Sequence, residues 1–110
     1  FNRMKTLVRG EWHPDQLLSR HDPTGNIYGA KDRVSVLRVE LQLDGRVKDV
    51  SIKQSSGVEF LDEEAMSAFR RAQPFENAPQ PLADPDGVIR FNFAFIVQLS
   101  GHTSFKVYRE

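Results

Sequence analysis

His13, Asp15, His21 and Asp22 form the one close grouping of metal-ligand side chains in the chain. A metal centre needs donors spaced so that the backbone turns them onto a single point, and this spacing matches no recurring pattern. All four stand in turn-like contexts, where Asp and His commonly serve the backbone instead. Ser19, His21 and Asp22 have the residue types of a nucleophilic triad, but near neighbours in sequence seldom reach triad geometry and no nucleophile elbow is present. Asp62, Glu63 and Glu64 could pass for acid–base carboxylates, yet their place at the start of a helical pattern explains them as capping and dipole-compensating groups. The glycines build no phosphate cradle. There are no cysteines, which excludes thiol chemistry, disulfides and Cys-based zinc sites. These residues offer no catalytic centre, metal site or cofactor site, so the chain reads as a non-enzymatic module that works by being bound.

Composition narrows the kind of partner. The 110 residues make one domain, 1–110, and the 15 basic side chains balance the 15 acidic ones. A neutral chain argues against duplex nucleic acid or an anionic membrane as the main partner, since either favours a basic excess. The longest apolar-rich run, Phe91 to Val97, has the length of a strand and not of a membrane span. The first residue is Phe1, inside what reads as a helix, so the expectation is an excised domain with any membrane anchor upstream.

The elements follow from two periodicities. Met4, Leu7, Val8 and Trp12 recur at helical spacing, and Pro14 ends that helix near Trp12 while suiting the first turn of another. His21 to Asn26 is a turn cluster, and a loop is expected from there to about Asp32. From Val34 the period becomes two, with Leu37, Val39, Leu41 and Leu43 on one side and Val36, Arg38, Glu40 and Gln42 on the other. Asp44-Gly45 predicts a two-residue hairpin turn, with a return strand from about Arg46 to Gln54. After the Ser55-Ser56-Gly57 break, a helix is expected from Asp62 to about Gln73, capped by Asp62 and stapled by Leu61 against Met66. Its apolar stripe is Leu61, Ala65, Ala68, Phe69 and Ala72, and Arg70 and Arg71 suit its carboxyl end. Residues 73 to 87 hold four of the six prolines and predict an extended return pinned by Phe75 and Leu82. Ile89, Phe91, Phe93, Phe95, Val97 and Leu99 then line one side of a last long strand, a core wall for the helices. Trp12 is expected to pack over the sheet.

These pieces predict an α+β fold: a three-stranded antiparallel sheet built β-β-α-β in the order 2-1-3, with the amino-terminal helix and the central helix on one face. Residues 1–33 supply the first helix and loop, 34–99 the core, and 100–110 a tail. Thr103 to Tyr108 alternates weakly, which leaves the tail either a short fourth strand or a lid. In that order the third strand is an edge, long and carrying a single charge, Arg90. Such an edge is a rail for a foreign strand. The expected contact residues are Arg90, Asn92, Ala94, Ile96 and Gln98.

The series VLRVELQLDGRVKDVSI, Ser55-Ser56-Gly57, Leu61-Asp62 opening a helix with Ala65 and Ala68, Ala72 to Phe75 before prolines, and DGVIRFNFAF resembles the C-terminal domains of TonB and TolA-type energy transducers. The helix ending in Trp12-His13-Pro14 is similar to the TolA-like variant, so the resemblance covers about Phe1 to Leu99. It implies a periplasmic domain of a protein anchored in the inner membrane by a single helix and coupled there to a proton-channel motor. Such a domain grips an extended segment of an outer-membrane or periplasmic protein and passes on energy from the proton-motive force. The alternative it leaves is an assembly domain of a motility or trafficking machine of the envelope, with its edge filled by its own tail.

Overall fold

The computed structural model describes residues 2–22, 32–76, 78–98 and 102–109. Its elements are α1 (Asn2–Glu11), α2 (Pro14–His21), β1 (Arg33–Gln42), β2 (Val47–Gln54), α3 (Glu59–Ala72), a 3-10 turn at Gln80–Leu82, β3 (Val88–Val97) and β4 (Thr103–Tyr108). The fold is α+β, as expected, and its strands are all antiparallel. The loop expected over 23–31 lies outside the described residues, as does Leu99. Pro14 separates the first two helices by opening α2, where its missing N–H is no loss.

The sheet has four strands, in the order β2-β1-β3-β4. This corrects the three-stranded reading. The right-handed crossover does place β3 beside β1, with Leu37 opposite Phe93 and Arg38 opposite Asn92. The tail then folds back as an integral strand, with Asn92 opposite Tyr108 and Val97 opposite Thr103. β3 is therefore central, and the segment expected to be free is flanked on both sides.

Two local expectations are also corrected. The hairpin closes through three residues, Leu43 to Gly45, with the Gly45 N–H bonded to the Gln42 carbonyl. Only Gly45 has positive φ, +89°, as in a type I turn followed by a left-handed residue. Leu43 thus leaves the strand for the turn and is 46% exposed instead of joining the core. A Cβ on Gly45 would stand 2.1 Å from the Phe75 carbonyl oxygen, so the turn is also packed against the return segment.

The other correction concerns α3, which begins at Glu59, three residues before the expected cap. Val58 takes the cap position and gives no side-chain bond. Asp62 lies inside the first turn and is buried. Its carboxylate accepts from the Ser35 hydroxyl at 2.7 Å, from the Ser56 N–H at 3.0 Å and from the Ser55 hydroxyl. Burial pushes this carboxyl up, but the bonds from Ser55, Ser56 and Ser35 outweigh it and hold the group below its ordinary value. Asp62 is a knot between β1, the loop after β2 and α3.

The core lies between one sheet face and the helices. Leu37, Val39, Leu41, Phe91, Phe93 and Phe95 pack with Met4, Val8 and Trp12 of the amino-terminal segment and with Ala65, Ala68 and Phe69 of α3. Phe69 is at the centre, its ring 4.8 Å from Phe75 and 5.2 Å from Phe93. The alanines of α3 let the helix approach the phenylalanine wall closely. No described α-helix covers the opposite face.

Candidate protein-docking edge

Strand addition needs backbone groups aimed at solvent, so the register at the β4 side decides what is available. The Gln98 N–H donates to the His102 carbonyl at 2.8 Å. In an antiparallel ladder the bonded pairs alternate, so Ser104, Lys106 and Tyr108 bond to Ile96, Ala94 and Asn92. The backbone groups of Thr103, Phe105 and Val107 consequently point away from β3. The sequence selected the right β3 residues for outward-pointing groups, Asn92, Ala94, Ile96 and Gln98, but the chain's own tail bonds to them. As an open docking rail this set, with Arg90, is corrected to the outer side of β4. Phe105 and Val107, alternating around Lys106, are the signal in the sequence that locates the strand.

The β4 edge is regular, whereas the other edge is not. The β1–β2 ladder shifts register twice, between Val36 and Leu37 and between Glu40 and Leu41. β2 also exposes Lys48, Asp49 and Lys53. Bulges and charges are how an edge is made unfit for pairing. β4 keeps one register over its full length and has one exposed charge, Lys106.

β4 is held mainly by aromatic contacts. The Phe105 ring lies 5.1 Å from Trp12, 5.3 Å from Phe93 and 5.4 Å from Phe95. The Arg9 guanidinium stands 4.8 Å over the same ring, and its Nη1 donates to Thr103 Oγ1 at 3.3 Å. Trp12 is buried edge-on to Phe95 at 5.0 Å, so its role is in the packing of β4 against β3.

Beyond Tyr108 the edge ends in a cleft of about 330 Å³ lined by Arg38, Glu40, Arg90, Phe91, Asn92 and Arg109. Arg90 is clamped there, with Glu40 at 2.7 Å, Asp84 at 2.8 Å and Asp86 at 2.7 Å. Bonds to Asp86, Asp84 and Glu40 raise its pKa, and the Arg90 bond in turn lowers that of Asp86. The clamp ties β3 to β1 and to the turn before β3, and leaves no proton to move near neutrality.

The other sequence candidates are dispersed. The His13 backbone N–H donates to Glu64, His21 stacks on Phe60 at 4.3 Å, and the Asp22 N–H closes α2 on the Leu18 carbonyl. Among the described residues no three His, Asp or Glu side chains gather as metal ligands. Glu64 also accepts from Arg71, which donates in addition to the Glu11 carbonyl at 2.7 Å. Arg71 thus compensates the carboxyl end of α1, a neighbour, as well as its own helix.

The family model of the Gram-negative bacterial TonB protein C-terminal matches residues 29–97, more than half of the chain. The chain belongs to the TonB C-terminal family. Searches of the curated proteins and of the solved structures found no match. The TonB match runs through β1, β2, α3 and β3, and is narrower at the amino end than the residues that carry the resemblance. α1, α2 and β4 lie outside it. Two of those outside elements, α1 with its trailing Trp12 and β4, touch each other through Arg9, Thr103 and Phe105.

Proposed function

We propose that this TonB-type domain is a non-enzymatic docking unit of an energy transducer, which adds an extended segment of an outer-membrane or periplasmic protein to the outer side of β4. The observation that carries this reading is the uninterrupted register of β4, with the backbone groups of Thr103, Phe105 and Val107 aimed outward. Family membership supplies the cellular setting: a periplasmic domain in a protein anchored in the inner membrane, handing on energy from the proton-motive force. No helix among the described residues is long and apolar enough to cross a membrane.

The affinity of such a grip can be bounded. Four to six added backbone hydrogen bonds, at roughly 0.5–1.5 kcal/mol net each, give several kcal/mol. Ordering a flexible segment takes back about 2–5 kcal/mol, so a short peptide binds around micromolar or looser. A partner gripped this weakly is released readily. On titration with a partner peptide, the amides of Thr103, Phe105 and Val107 should shift while those of Lys48 to Lys53 stay in place. Shifts confined to β2 or to the helices would overturn the reading.

The integral place of β4 supports a second reading, an assembly domain of an envelope machine whose edge is filled by its own tail. Deleting residues 101–110 separates the two. Under the first reading the shortened chain loses the partner, because its docking edge is gone. Under the second it keeps the helical and loop contacts of its complex but is less stable and self-associates through bare β3.

A further inference from the structure

The sheet face turned away from the helices is a second surface, and its charges are segregated. Residues opposite one another in a ladder share a face. Val36, Ala94 and Lys106 therefore stand in one row, and Arg38, Asn92 and Tyr108 in the next. Val36 and Ala94 are each 4% exposed although no described α-helix covers them. Long side chains lie over that floor with their heads in water, as Lys and Arg do on apolar ground. The Lys53 ammonium reaches to 5.6 Å from the centre of the Tyr108 ring, and the Lys106 ammonium to 5.8 Å from the same ring.

Two ammonium groups thus share one tyrosine, with exposed Arg38 beside them. Lys106 pairs with no carboxylate among the described residues. The acids of this side of the molecule lie elsewhere: Glu40, Asp84 and Asp86 close around Arg90 at the other end of the sheet. In a chain of zero net charge, this leaves one end of the bare face compensated and the other basic.

We propose that the basic end of this face, Arg38, Lys53 and Lys106 around Tyr108, docks an acidic polypeptide segment of a partner. Charge complementarity selects the occupant. The two lysines are point charges suited to scattered carboxylates, and the tyrosine between them gives a flat apolar contact for the segment's stems. A nucleic acid would instead call for a basic excess over the whole domain, which the balanced composition does not supply. The surface is distinct from the β4 edge, because it uses side chains on a face and not outward backbone groups.

The test is a titration of the isotope-labelled chain with an oligoglutamate peptide, which is too highly charged to add as a strand. Saturable shifts of the Tyr108 ring and the Ala94 methyl are expected, weakened about tenfold when salt is raised to about 0.5 M. The double variants Lys53→Glu/Lys106→Glu and Lys53→Gln/Lys106→Gln should both lose these shifts while melting near the parent temperature. The absence of saturable shifts would overturn the proposal. So would shifts that persist in the double variants, an equal response to oligolysine, or tighter binding of oligothymidylate at the same residues. Changes restricted to the amides of Thr103, Phe105 and Val107 would reject this face and count for the edge alone.

Discussion

At the scale of single residues, Asp62 shows how one side chain fixes where an element begins. Three donors from two other segments converge on its carboxylate, so α3 starts where that knot can form. Asp62→Ala would strand the buried Ser35 hydroxyl and the Ser56 N–H, and should cost about 2–4 kcal/mol in urea unfolding. The pH dependence has a definite sign. The folded carboxyl is held below its ordinary 3.8, so its stabilisation is present in full above that value and is lost as pH falls through the lower folded value. Stability of the parent chain should therefore drop below about pH 4, and Asp62→Asn should flatten that drop. Gly45 fixes a second point. Gly45→Ala meets the Phe75 carbonyl and an unfavourable φ at once, and should cost more than about 2 kcal/mol. The sequence made both residues visible but not their geometry: Asp62 reads as a cap and Gly45 as half of a two-residue turn, because the serine donors and the Phe75 backbone come from elsewhere in the chain.

At the scale of elements, periodicity carried most of the information. The alternation in β1, the alanine stripe of α3 and the phenylalanine wall of β3 each have one way to bury their apolar side, and each does so. The position of β3 in the sheet was not legible in this way. Whether a strand is an edge depends on what pairs beyond it, and six residues of weak alternation, Thr103 to Tyr108, do not declare their partner locally. Their stability comes from afar, through Trp12, Phe93 and Phe95 around Phe105. Trp12→Ala should accordingly cost about 3–5 kcal/mol, and hydrogen exchange should quicken first at Ser104, Lys106 and Tyr108. Equal acceleration in β1 would mean that β4 is no separate unit.

At the scale of the molecule, the docking surfaces and the family core are different things. The matched stretch ends with β3, while the candidate edge is on β4 and is braced by the segment that closes α1. This explains why the site residues were the hardest to read: the features that identify the family contain the strand next to the edge but not the edge itself. It also bears on a transducer's work. Tension applied at the amino end of α1 has a short load path to β4, from Arg9 and Trp12 directly into Thr103 and Phe105. A pull on the anchor side would thus arrive at the gripping strand without first crossing the sheet, loading its ladder to β3 while the phenylalanine core behind stays slack.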